Sequence, residues 1–265
     1  MKLHRISPRD GWRVFAGEVG VIVLGVLIAL IAQQVAEDWQ WRQTVARTKA
    51  DLDAQLSSSV ANAAERTAVD RCLSARLNDL ATKVAASRGE WKGDPYVLPG
   101  ENSSSEIIHY VIPPAYRAPA RSYPDDVWQQ AKAAGVLAHL APADIALYGL
   151  AFADVDDARS SNADEGQLAA ELSFLSFDGP LAASDRSRAL STIAQLDKRN
   201  KAIVNAARLL VEDVRTIGST LSAADEKLLF DNLDVQRRFR GQCVDRDATL
   251  RLIAPIRAPR ASRVQ

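Results

Sequence analysis

Residues 17 to 34 read GEVGVIVLGVLIALIAQQ, an apolar run with one acid, Glu18, near its start. Widening the run to Val14–Ala36 gives 23 residues, roughly 34 Å of helix at about 1.5 Å per residue, against a bilayer core of roughly 30 Å. The stretch therefore predicts a membrane-spanning helix. Its flanks agree. Lys2, Arg5, Arg9 and Arg13 precede it against the single acid Asp10, whereas Glu37 and Asp38 follow it before the first base, Arg42. Basic residues favour the cytoplasmic side, so residues 1–13 are expected in the cytoplasm and the rest of the chain beyond the membrane. Trp12 at one end, with Trp39 and Trp41 at the other, fits a pair of interfacial aromatic belts.

A cleaved signal peptide is the competing reading, since the basic start and the fourteen-residue run Val19–Ala32 also suit one. Against it, Leu30-Ile31-Ala32 is a poor version of the small-x-small processing pattern, and a released domain has no use for a tryptophan belt. A retained anchor is the favoured reading. Glu18 then lies five residues past Arg13, roughly 7.5 Å along the axis, which is shallow. Two accounts of it stand: an intramembrane contact with a partner helix, or a carboxylate reaching back to the interface beside Arg13. The small-xxx-small pairs Ala16/Gly20, Gly25/Ala29 and Ala32/Ala36 permit close helix approach and make a parallel homodimer an expectation.

Beyond the span the chain reads as all-α. From Arg42 to about Ser87 there is neither proline nor glycine, and Val45, Leu52, Leu56, Val60, Val69, Leu73, Leu77, Leu80 and Val84 recur at helical spacing. That marks residues 37–88 as one long amphipathic helix or stalk. Its charged residues Arg47, Lys49, Asp51, Asp53, Glu65, Arg66, Asp70 and Arg71 are expected on a solvated face. Residues 89–124 are rich in proline and glycine and break the pattern, with EIIHYVI as a candidate short strand. Helices resume across 125–253. Asp125 opens a short one that Gly135 bends or ends, Pro142 sits in the first turn of the next, a long helix runs from about Asp185 to Gly218, and Ser222 with Asp225 resembles a capping box. Residues 254–265 form a basic tail. The expected architecture is an anchor helix leading into an elongated antiparallel bundle crossed by an irregular segment.

Thirty-three basic residues balance thirty-three acidic ones, so no global field recruits nucleic acid. The two cysteines, Cys72 and Cys243, are a natural disulfide pair in an oxidising compartment; two unpaired thiols would suit the opposite topology. His4, His109 and His139 lack metal-ligand spacing, and the chain has no phosphate loop, no GxSxG and no HExxH, so no cofactor or catalytic residue is expected. The acids of DVDDARSSNADE fall near calcium-loop offsets, but Ala158 and Arg159 occupy ligand and turn positions, leaving a helix surface as the better reading. Candidate contacts for a ligand or partner gather in the irregular segment and just after it: His109, Tyr110, Tyr116, Arg117, Arg121, Tyr123 and Trp128. Aromatics among arginines suit a carboxylate, a sugar or a peptide; the alternative is a structured cover that buries its aromatics on the bundle.

The stretch FAGEVGVIVLGVLIALIAQQVAEDW (residues 15–39) resembles the opening of a group of bacterial single-span proteins of unknown function, in which a Gly-Glu pair leads into an LGVLIAL-type span. VWQQAKAAGVLAHLAPADIALYGLAFADV (residues 127–155) is similar to their tryptophan helix, small-Gly pair and amphipathic helix. The resemblance implies a bacterial inner-membrane protein with a periplasmic helical domain and a recurring place for Glu18; it implies no activity. Three classes of function follow: an anchored interaction or scaffolding module, which is favoured; a small-ligand sensor using residues 89–124; and an enzyme, disfavoured for want of a nameable nucleophile, base or metal cluster.

Overall fold

The structure is a computed structural model and describes residues 8–96 and 114–257. The candidate strand EIIHYVI, with His109 and Tyr110, lies outside the described residues. Contacts divide the chain into two compact units, Met1–Lys49 and Ala50–Gln265.

The first unit contains the N-terminal part of one helix, α1 (Pro8–Ala86). Its large apolar side chains, from Phe15 to Val35, are exposed, and so are Trp12 and Trp39. Glu18 is exposed and Trp41 half-buried. Among the described residues this is the one helix long and apolar enough to cross a membrane, by length and composition.

The second unit is all-α apart from a two-residue antiparallel pairing of β1 (Glu90–Trp91) with β2 (Gly179–Pro180). Its helices are the C-terminal part of α1, α2 (Asp126–Ala133), α3 (Pro142–Glu171), α4 (Ala183–Ile217), α5 (Ala223–Arg240) and α6 (Arg246–Ile253). The expected stops and caps are present. Gly135 and Gly218 end α2 and α4 in the left-handed region, at φ 72° and 82°, where glycine alone is unstrained. The Ser222 hydroxyl accepts from the Asp225 N–H at 3.0 Å to open α5. On α1 the periodic apolar residues from Leu52 to Val84 are buried, and Val45 is partly so.

Side-chain bonds give the helix directions. Tyr148 donates to Asp53 and Arg66 pairs with Glu165, so α1 and α3 run the same way. Asn200 donates to Asp70 and Ser74 to Asp197, so α4 runs against α1. Arg199 pairs with Asp164, and Thr192 donates to Glu171, so α4 also runs against α3. Ser57 donates to Asp225 and Gln236 to Glu65, which makes α5 parallel to α1. The expected antiparallel packing thus holds for α4 against α1 and α3, while α1, α3 and α5 share a direction. Helix α6 is seated on α1 by the Asp245 N–H to the Ala68 carbonyl at 2.8 Å and by Thr249 to the Ala64 carbonyl at 3.2 Å. Beside it Cys72 and Cys243 form a disulfide across 171 residues. On the chain-entropy account a closed loop of that length stabilises the fold by roughly 5 kcal/mol.

Because α1 and α3 are parallel, the chain must travel back along α1 between them. Residues 114–125 make that return as a strap. The Ala115 carbonyl meets Arg76, the Pro119 carbonyl meets Arg66, the Ser122 carbonyl meets Asn62, and Asp126 meets Gln55. From 115 to 122 the strap passes fourteen residues of α1, about 21 Å, so it advances about 3 Å per residue, close to full extension. The expected irregular segment is, in its described part, the crossover that the topology requires.

One expectation is overturned. Glu65 and Arg66, expected on a solvated face, are both 0% exposed. Glu165, from the stretch read as helix surface, is 3% exposed. All three belong to a polar centre in which each finds a partner that water would otherwise supply.

Across the α3–α4 contact, Asp154 faces Asp213. Burial, and then the Asp213 charge, push the Asp154 carboxyl up to about 7, and Asp157 adds to the shift. A carboxyl whose folded-state pKa is raised binds a proton that the unfolded chain releases, so its contribution to stability declines as pH rises from about 4 to about 7. Asp154→Asn is expected to flatten that decline and to melt higher than the parent at pH 8, by roughly 2–4 °C per kcal/mol gained. Thermal melts at pH 5 and pH 8 check this; an unchanged pH profile in the variant would contradict it.

Candidate functional site

The centre of the second unit is polar, and it is built around Arg66. Its guanidinium forms a two-pronged pair with Glu165, Nη1 to Oε2 at 2.8 Å and Nη2 to Oε1 at 2.7 Å. Nη2 also donates to the Asn200 carbonyl oxygen at 2.9 Å, and Nη1 to the Pro119 carbonyl at 3.3 Å. The Tyr116 hydroxyl donates to Glu165 Oε1 at 2.9 Å, while the Asn200 amide donates to Asp70 at 2.6 Å. One cluster therefore ties α1, α3, α4 and the strap together. Burial is the largest single influence on the Arg66 guanidinium and pulls it down, but the Glu165 charge and hydrogen bond, with Tyr116 and Tyr123, together hold the group above its ordinary value. Burial, and then the Glu165 charge, push the Tyr116 hydroxyl far up, so it stays a donor.

A second tier runs beside the first. Arg121 grips buried Glu65 through Nε at 2.5 Å and Nη2 at 2.9 Å, and Gln236 donates to the same carboxylate at 3.0 Å. Arg240 donates to Gln236 at 2.7 Å, to the Tyr96 hydroxyl at 2.8 Å and to the Arg117 carbonyl at 3.0 Å. Burial is the largest influence on Arg240 and holds it below its ordinary value. Two guanidiniums lie near the Tyr96 ring, Arg76 at 5.7 Å and Arg240 at 5.6 Å from its centroid.

The sequence-predicted contact residues divide accordingly. Tyr116 and Tyr123 are buried, and Arg121 is spent on Glu65. Trp128 stacks on Phe152 with centroids 5.4 Å apart and planes 3° from parallel. These four serve the packing of the strap and α2 onto the bundle. Arg117, together with Tyr116, lines a surface groove. Their partners Glu165 (for Tyr116) and Glu65 (for Arg121) were read from sequence as helix surface, as was Arg66, and Asn200 and Arg240 were not singled out.

The groove, of about 600 Å³, lies between the strap and α3. Ala118, Pro119 and Ala120 form one wall and Gly166, Ala169 and Ala170 the other, with Tyr116 and Glu165 between them. Gly166 stands in the interior of α3, where glycine is about 1 kcal/mol worse than alanine. A Cβ there would meet no described atom within 4 Å, so close packing does not explain the glycine. Its consequence is an open wall. Among the described residues there is no group of three or more His, Cys, Asp or Glu side chains placed to hold a metal.

Comparison with protein-family models, with curated proteins and with solved structures finds no match to the chain. The groove and the bonds beneath it therefore carry the functional reading.

Two outcomes are expected from denaturation of the purified protein. Gly166→Ala raises stability by about 1 kcal/mol, because it improves helix propensity and fills only open space. Tyr116→Phe lowers it by about 1–3 kcal/mol, because the buried Glu165 carboxylate loses a donor. A destabilising Gly166→Ala, or a neutral Tyr116→Phe, would contradict this geometry.

Proposed function

We propose that the chain is a single-span, membrane-anchored module whose helical domain works outside the cytoplasmic membrane by binding another protein. The observation that carries this reading is the groove between the strap and α3. Its walls are mostly small and apolar, with Arg117, Asn162 and Ser173 among the lining, and Arg66 and Glu165 beneath it are consumed in bonding one another. A site of that kind offers contact rather than proton transfer or nucleophilic attack. The exposed apolar stretch from Phe15 to Val35 supports the anchor, since a surface of that length and hydropathy has no stable place in water. The basic residues before the span favour a cytoplasmic N-terminus, and the Cys72–Cys243 disulfide favours an oxidising compartment for the domain. Together with the resemblance of residues 15–39 to bacterial single-span proteins, these features support a periplasmic domain, with Glu18 just inside the bilayer.

A second reading, a small-ligand-binding domain, draws on the groove's volume, which falls in the range of small-molecule sites.

Thiol labelling tests the anchoring and sidedness. In intact cells Cys72 and Cys243 are expected to resist labelling until reductant is added, and to be joined within one chain in peptide maps. Free thiols reached only after the inner membrane is opened would put the domain in the cytoplasm and overturn the reading.

A further inference from the structure

We propose that the membrane helix carries an interaction face headed by Glu18, and that this face docks a transmembrane helix of a second protein bearing a basic side chain at the depth of Glu18. The proposal rests on the reading of residues 14–36 as a membrane span and names the kind of partner that the span takes.

Spacing sets the face. At roughly 100° of turn per residue, Glu18, Ile22, Gly25, Ala29, Ala32 and Ala36 fall within about 40° of one line along α1. Between Val21 and Ala36 the only residues as small as alanine are Gly25, Ala29, Ala32 and Ala36, and all four stand on the line of the acid. The six positions are exposed, so no other described element covers them. Their steps of four and three residues keep a seam facing one partner helix at a crossing angle of about 20°. Small residues on the seam let the partner's backbone come close, and its larger apolar side chains fill the space they leave.

Glu18 decides what must face the head of that seam. Its neighbours one turn away are Val14, Phe15, Val21 and Ile22, all apolar, so its own helix supplies no donor. Arg13, five residues back, stands about 140° round the helix from it. Glu18 bonds no other described residue. An acid in an apolar span is most stable facing a partner of opposite charge rather than lipid. Depth agrees with this choice. The acid lies near the end of the span that Lys2, Arg5, Arg9 and Arg13 precede, and membrane proteins concentrate lysine and arginine on that side. A second copy of this chain answers less well. In a parallel two-fold pair each seam residue meets its own copy, so Glu18 would meet Glu18.

The test is photo-crosslinking in the cells that make the protein, with a benzophenone side chain in the full-length chain at Ile22 on the face or at Leu27 on the opposite side. The expected product at Ile22 is at least tenfold stronger than at Leu27. By mass spectrometry it joins this chain to a protein whose own span carries a lysine, arginine or histidine at its cytoplasmic end. Glu18→Lys is expected to weaken that product at least tenfold, and exchanging the partner's base for glutamate to restore it to within about twofold. Gly25→Leu, which fills the seam without touching the acid, is also expected to weaken it. A product made of two copies of this chain would overturn the proposal, as would a partner without such a base, equal products at Ile22 and Leu27, or indifference to Glu18→Lys. Alkaline extraction of the same membranes separates this failure from that of the parent reading. A chain released by alkali is not anchored, and both readings fall; an anchored chain with no product at Ile22 sinks the inference alone.

Discussion

The fold of the helical domain depends on where one guanidinium finds its acceptors. Arg66 is fully buried on the first helix of the bundle. Taking its charge and that of Glu165 out of water costs several kcal/mol for each ion, and only close, multiply bonded pairing offsets this. The offset is available in one arrangement. Helix α3 must bring Glu165 beside residue 66, α4 must bring Asn200, and the strap must lay the Pro119 carbonyl against the same guanidinium. A slip of α3 by one turn, about 5.4 Å, would strand both charges in an apolar interior. Leucine layers tolerate such slips far better, because one apolar contact resembles the next. The polar centre therefore fixes register among helices that the apolar face alone would leave free to slide.

The groove is a consequence of the same constraint. A near-extended strap cannot satisfy its own carbonyls, since it has no intrahelical ladder and, among the described residues, no neighbouring strand over most of its length. Arginine side chains supply the missing donors from below: Arg76, Arg66 and Arg240 reach Ala115, Pro119 and Arg117 in turn. This holds the strap on the tips of long side chains, beside a stretch of α3 made of glycine and alanine. Small residues on one side and a propped backbone on the other leave the space between them open.

Much of this organisation was legible in the chain, and the parts that were not share a physical reason. Helix type and extent followed from apolar periodicity, the helix ends from Gly135, Gly218 and Ser222, and the disulfide from the presence of two cysteines. The polar centre was hidden by the habit of assigning charge to solvent. Its signal is nonetheless present. Positions 52, 56, 59, 63, 66, 70, 73, 77, 80 and 84 follow a strict alternation of four and three, and Arg66 and Asp70 stand on it between Ala63 and Leu73. A base within a largely apolar seam asks for a buried acid, and Glu165 stands ten residues after Val155 on a helix whose apolar face includes Tyr148 and Phe152. Which acid answers which base depended on helix directions that no local pattern encodes. The parallel run of α1 and α3 was equally hidden, because it follows from the long return of the strap rather than from any turn.

The most direct test is a double-mutant cycle on Arg66 and Glu165, read by denaturant unfolding of the purified protein. Arg66→Met and Glu165→Leu are each expected to cost about 3–5 kcal/mol, because each leaves an uncompensated buried charge. The double variant, which removes both charges and keeps apolar bulk, is expected to cost far less than their sum. Single effects that add to within about 0.5 kcal/mol would mean that the two residues do not hold each other, and that something other than this pair keeps the bundle in register.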